Sequence, residues 1–297
     1  MEPISIIKAD NRLGEGITWD DGTGALWWTD IEEKKLYRMD WESQGIRTFD
    51  TPERVGSFGL TDVPGCLVTA FETGFALYWP ESGEVLWFGR PAEHTPGVRF
   101  NDGRVDPQGR FWSGTMVETA GQGLKGALYR LSADGTTDKV EDGVVISNGL
   151  SWSPDGATLY FADSPRQKIY AYDYDVASGT TSNRRVFASL TGDAYPDGAC
   201  MDAEGGLWSA TWASHTVRRY LPDGSLDRMI TLPVSQPSCT TLGGPGLNLL
   251  FVTSAKQGLS DDVLKGEPLA GSVFVYDVGV RGLPEPRFPA RRHINQK

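Results

Sequence analysis

Short runs of alternating apolar and polar residues, each closed by an Asp, Gly, Pro or Ser cluster, recur along the whole chain. Period-two alternation bounded by turn formers predicts half-buried antiparallel strands. The runs come in groups. GITWDDGTGALWWTDIEEKKLYRMD begins at Gly16, GRVDPQGRFWSGTM at Gly103, GLSWSPDGATLYFADSPRQKIYAYDYD at Gly149 and GACMDAEGGLWSATWASHTVRRYLPDG at Gly198. Each group reads as a short apolar strand, a polar turn, an aromatic-rich strand, an alternating strand and a last strand after a Gly-containing turn.

Weaker copies begin near Gly59 and Thr240, so successive starts lie 43, 44, 46, 49 and 42 residues apart. That interval suits a four-stranded propeller blade. The expected fold is all-β: a six-bladed β-propeller with four-stranded antiparallel blades, spanning residues 1–297 as a single domain. The leading PISIIKAD supplies the outer strand of the last blade, leaving no free edge. A β-sandwich would not repeat an Asp-x-x-Gly turn before an aromatic strand at steady intervals, and a solenoid repeat is shorter.

Composition agrees. The chain holds 36 glycines, 18 prolines and 10 tryptophans, which suits many short strands joined by tight turns. A formal net charge of -11 disfavours nucleic acid and anionic membrane surfaces as partners. Cys66, Cys200 and Cys239 are too few and too scattered for a disulfide framework or a thiolate zinc site. No apolar run approaches the roughly 20 residues that cross a bilayer, and the N-terminus lacks a signal-peptide pattern, so a cytoplasmic protein is expected.

A propeller aims the first strand of each blade along its central channel. The residues just before those strands are unusual: Glu15 precedes Gly16, Asn101 and Asp102 precede Gly103, Asn148 precedes Gly149, and Asp197 precedes Gly198. Any one Asn-Gly or Asp-Gly pair is ordinary turn chemistry. Four blades with an acid or amide at corresponding phase, including Glu15, which is no turn former, point to a shared purpose. Converging oxygens repel unless a cation neutralises them. Carboxylates and amides without Cys or His suit one hard divalent ion. Calcium, magnesium and manganese match best, with zinc and iron compatible.

The stretches LGEGITW, RFNDGRVDPQGRFWSGTM, SNGLSWSPDGATLYFAD, YPDGACMDAEGGLWSA and PSCTTLGGPGLNLLFVTSA resemble the SMP-30/gluconolactonase/regucalcin-like sugar lactonases, in the same order and over nearly the full length. The resemblance implies metal ligands at Glu15, Asn148 and Asp197, and substrate contacts at Arg99, Asn101 and Glu118, with Asn101 also approaching the metal in some members. It further implies a metal-dependent lactonase acting on a small-molecule sugar lactone, with calcium as the expected ion. Monomer or weak homo-oligomer is the expected state.

On that basis the ion polarises the lactone carbonyl, and Asp197 acts as general base toward the attacking water. The alternatives are a non-enzymatic metal-binding propeller of the regucalcin type, and a hydrolase of phosphotriesters or aryl esters. A serine-nucleophile Gly-x-Ser-x-Gly elbow and a dinucleotide Gly-x-Gly-x-x-Gly opening a helix are both missing. His94, His215 and His293 are scattered, with His94 close to Arg99. Trp27, Trp28, Trp112 and Trp208 are expected to pack between blades, and Trp212 follows its strand within reach of the channel mouth.

Overall fold

The computed structural model describes residues 1–118 and 123–294. It forms six four-stranded antiparallel sheets, as the repeat predicted. The first strands of the blades are Gly14–Asp20, Val55–Leu60, Val98–Val105, Ser147–Trp152, Tyr195–Met201 and Pro237–Gly243. Each touches the first strand of the next blade, and the last touches the first, so they form the wall of a central channel. Ser5–Ile7 pairs with Val273–Asp277 and completes the sixth blade, closing the ring with the N-terminal segment.

Burial explains why the aromatic strands recur. Side chains on a strand alternate between faces, so a blade buries residues against both neighbours. Trp27 packs in a cluster with Phe58 and Tyr78 of the second blade, while adjacent Trp28 packs with Phe251 and Val273 of the sixth. Trp112 lies against Leu159 and Tyr172 of the fourth blade, and Trp208 against Leu250 and Phe274 of the sixth. Each of the six blade interfaces is one apolar cluster of this kind. There is no single central core.

The turn after the first strand carries its own polar lock. In the third blade Asp106 accepts the backbone N–H groups of Gln108 (2.8 Å) and Arg110 (2.9 Å) through Oδ1. Its Oδ2 takes the Trp112 indole N–H at 3.1 Å, the Arg110 Nε at 2.7 Å and the Tyr174 hydroxyl. Asp202 repeats the arrangement in the fifth blade with Gly206, Trp208 and Arg219. These acids therefore fix both the turn and the indole that packs between blades.

The channel has two unlike ends. The end where the first strands finish is crossed by the C-terminal segment 279–290. Gly282 bridges to Asp202, Phe288 to Thr61, Glu285 pairs with Arg104 at 2.6 Å, and Arg287 pairs with Asp20 at 2.6 Å. That strap ties several blades together and covers the exit. The end where the first strands begin has no such cover among the described residues. No described helix is long and apolar enough to cross a membrane.

Removing Asp106 leaves the Trp112 indole N–H without its acceptor and Arg110 without its ion pair, although Arg110 keeps the Val176 and Ala177 carbonyls. Asp106→Ala is expected to lower unfolding free energy by about 3–5 kcal/mol in urea denaturation. Asp155, in the equivalent surface turn, bonds only Ser153 and the Ala157 N–H, so Asp155→Ala should cost about 1 kcal/mol. Equal losses from the two variants would contradict the lock.

Candidate metal and substrate site

All six first strands slip register against their neighbours near the start, between Glu15 and Thr18, Val55 and Ser57, Phe100 and Gly103, Asn148 and Ser151, Pro196 and Ala199, and Pro237 and Thr240. Such bulges turn a side chain out of the ladder and re-aim it. Glu15, Asn101, Asn148 and Asp197 sit at these bulges, which is how residues meant to alternate between blade faces come to face the axis. Gly16 and Gly149 take left-handed φ angles of 58° and 63° at this point, where a Cβ would be strained.

A second repeated acid fixes the approach to the bulge. Asp30, ending the second strand of its blade, accepts the N–H groups of Arg12 (2.7 Å) and Leu13 (3.0 Å). Asp163 accepts those of Val145 and Ile146, each at 3.2 Å. The loops entering the strands of Glu15 and Asn148 are thereby clamped just ahead of the site residue.

Side-chain bonds then link three blades. Arg99 Nη1 donates to Asn101 Oδ1 at 2.8 Å and to the Phe100 carbonyl at 2.9 Å. Asn101 Nδ2 donates to Asn148 Oδ1 at 3.1 Å and to the Ser147 carbonyl at 3.0 Å. Asn148 Nδ2 donates to Ser164 Oγ at 2.7 Å, and Ser164 donates onward to the Pro196 carbonyl beside Asp197, also at 2.7 Å. The relay sets the amide orientations: the chain of donors requires Asn148 to present its oxygen toward Asn101.

Glu15, Arg99, Asn101, Asn148 and Asp197 line one cavity of about 300 Å³ at the uncovered mouth. The remaining wall is mostly apolar, from Leu13, Met116, Ile146, Pro165, Tyr195 and Trp212. Glu118 is not part of that lining. It stands behind Arg99, accepting Arg99 Nε at 3.3 Å and Arg54 at 2.6 and 3.0 Å. Asp102 faces farther down the channel, beside Gly103, Arg104 and Cys239, and accepts the Leu150 N–H at 3.2 Å.

The electrostatics are unbalanced. Burial raises the pKa of Glu15 to about 8, with repulsion from Asp102 adding to it, against the Gly16 N–H and Arg99. Burial likewise holds Asp197 well above its ordinary 3.8, reinforced by the charges of Glu15 and Asp102. Neither carboxylate has an ion-pair partner among the described residues, in contrast to Glu118, whose pKa Arg54 pulls down. Two buried, unpaired carboxylates beside an amide oxygen form a hard, oxygen-only donor set of the kind that holds a divalent cation. No group of three or more His, Cys, Asp or Glu assembles among the described residues, so the set depends on Asn148 as its third donor.

Sequence reasoning missed Ser164, Tyr195, Met116, Ile146 and Gln257 on the wall, and Arg54 behind it. Ser164 follows Asp163 at the end of YFAD, and its place was implicit in that strand's length. Trp212, expected near the mouth, ends its strand there and lines the cavity. His94 is exposed in a turn and takes no part in the lining.

The fold and site together are those of a six-bladed propeller with acids and amides gathered at one mouth of its channel. The chain belongs to the SMP-30/Gluconolactonase/LRE-like family, whose model matches residues 13–256. It is 42% identical to the L-arabinolactonase of Azospirillum brasilense over 283 residues, 94% of this chain and 92% of that one. It is 37% identical to the 6-deoxy-6-sulfogluconolactonase of Pseudomonas putida, over 95% of this chain and 97% of the relative. The solved structure of a calcium-binding protein, regucalcin, from Agrobacterium tumefaciens superposes with a TM-score of 0.91 at 30% identity, covering 97% of this chain and 98% of that one.

The raised carboxylates fix a sign for pH dependence. Glu15 holds its proton more tightly when folded than when unfolded, so the metal-free protein should lose stability as pH rises from its ordinary 4.5 toward 8. A divalent ion held by these oxygens should raise the melting temperature, and by more at pH 8 than at pH 5, because ion and proton compete; calcium is the ion to test. Calorimetric scans with chelator and with calcium test this. A calcium increment independent of pH would count against it.

Proposed function

We propose that the cavity hydrolyses sugar lactones with the help of one divalent ion, calcium first among those that fit, held by Glu15, Asn148 and Asp197. The observation that carries this is the pair of buried carboxylates without a cationic partner, set beside an open cavity that also presents Arg99 and Asn101. Two relatives named as lactonases at 42% and 37% identity support the reaction class.

When bound, the ion would supply Lewis-acid polarisation of the lactone carbonyl and stabilise charge developing on its oxygen. The chain's own groups do the rest. Asp197 accepts a proton from the attacking water and returns it to the ring oxygen as the acyl C–O bond breaks, giving the open hydroxy acid. Arg99 uses its Nη2 hydrogens, which no group among the described residues takes, to hold a sugar hydroxyl or the ring oxygen. Asn101 fixes both Arg99 and Asn148. Glu118 holds the Arg99 guanidinium from behind. The apolar wall excludes water from the remainder of the cavity, which strengthens each polar contact inside it.

A second reading has a specific observation in its favour: the regucalcin structure is described as a calcium-binding protein. A purely structural ion would tie blades together without needing space beside it. The cavity of about 300 Å³ beside the donors, with room for a monosaccharide lactone, favours chemistry.

Acid release from an aldonolactone is expected to stop on chelation and to return with added calcium. Asp197→Ala should lower turnover by at least about 100-fold while leaving the fold intact by thermal melting. Near wild-type turnover in that folded variant would remove Asp197 from the mechanism.

A further inference from the structure

The charges around the cavity bear on which lactone fits. Among the described residues Arg99 is the one cationic side chain on the wall, and its charge is already met: Nε bonds Glu118, and Nη1 is spent on the Phe100 carbonyl and Asn101. Behind it Arg54 binds Glu118 through two N–H groups and also pairs with Glu72 at 2.7 Å and Glu32 at 3.5 Å. This cluster places two arginines, Arg54 and Arg99, among three glutamates, Glu32, Glu72 and Glu118, and so carries a net charge of one negative. Gln257, which lines the cavity, donates to Glu32 at 3.4 Å and belongs to the same set. The other described residues of the lining carry no positive charge.

Resting on the lactonase reading above, we infer that the site selects uncharged lactones and discriminates against those with an anionic substituent away from the carbonyl. Beyond the polar groups, the wall that a bound lactone meets is mostly apolar and includes Leu13, Met116, Ile146, Pro165 and Trp212. A carboxylate or sulfonate against that wall would lose its hydration, and the cation it meets there, Arg99, is already paired with Glu118. It would also face the net negative cluster behind Arg99. A hydroxymethyl group or a hydrogen at that position meets neither penalty. Arg54 is the specificity-setting residue in this scheme, because its fork holds Glu118 against Arg99 and so cancels the charge that an anionic group would seek.

The test compares an aldonolactone with the lactone of the corresponding aldaric acid, which has the same ring and a terminal carboxylate in place of hydroxymethyl. The uncharged lactone is expected to show kcat/KM about 100-fold higher. Glu118→Gln, which frees the Arg99 charge, should shrink that ratio to about 10-fold or less. A carboxylated lactone turned over within about threefold of the uncharged one by the wild-type protein overturns the inference. Should neither lactone be hydrolysed, the lactonase reading fails, and the charge preference is then read by calorimetric titration of the two matching lactams in calcium buffer. Tighter binding of the uncharged lactam sustains the inference. Equal binding, tighter binding of the carboxylated lactam, or no binding of either overturns it.

Discussion

The rest of the structure is arranged around two acids, Glu15 and Asp197, that are buried at one mouth of a channel and repel each other there. In water neither would be costly. Removed from water without a counter-ion, each carboxylate raises its pKa instead of staying charged. Holding them in place requires a frame that will not relax, and the propeller provides one. Six apolar interfaces hold each blade from both sides, and the N-terminal strand completes the sixth blade and so closes the ring. The bulges then turn the acids inward at a point where the surrounding packing prevents them from turning back.

The far end of the same channel shows how the chain treats charge when no ligand is wanted. Arg104, half-buried near Asp102, meets Glu285 of the C-terminal strap, and Arg287 of that strap meets Asp20. Charge is matched by charge from the chain itself, and the exit is covered. At the opposite mouth the strap is missing and two carboxylates stay unmatched, while the arginines nearby are consumed by Glu32, Glu72 and Glu118. The polarity of the channel is therefore set by which acids are left without arginines.

Much of this was legible in the sequence because period-two alternation and turn chemistry act locally. The paired Trp27 and Trp28 state that both faces of a strand are buried, and Asp106 and Asp202 announce turns that close on an indole. That Glu15, Asn101, Asn148 and Asp197 converge at one mouth could be read from phase, since equal position in a repeat means equal distance along the axis. What could not be read depends on contacts between distant segments. Arg54 is an unremarkable basic residue until Glu118, 64 positions away, is placed against it. The strap's role is hidden for the same reason, as PEPRFPA carries no periodic signal. Asp102, one residue beyond Asn101, faces a different part of the channel because the bulge falls between Phe100 and Gly103. No pattern of residue types announces that break.

The two blades without an acid or amide at the site show why the repeat had to be broken. The equivalent position in the second blade is Gly56, where a Cβ would lie 2.5 Å from the Phe100 carbonyl oxygen, so no side chain fits. In the sixth blade it is Ser238, whose hydroxyl donates to the Gly14 carbonyl and also bonds Thr253 Oγ1 at 3.0 Å. One position is filled by backbone and the other is satisfied within the fold. A ring with an acid in every blade would gather more negative charge than one divalent ion could offset. Two carboxylates match the charge of such an ion, while amides supply further oxygens without adding charge. With the proposed ion in place, the departures from sixfold symmetry thus follow from charge balance.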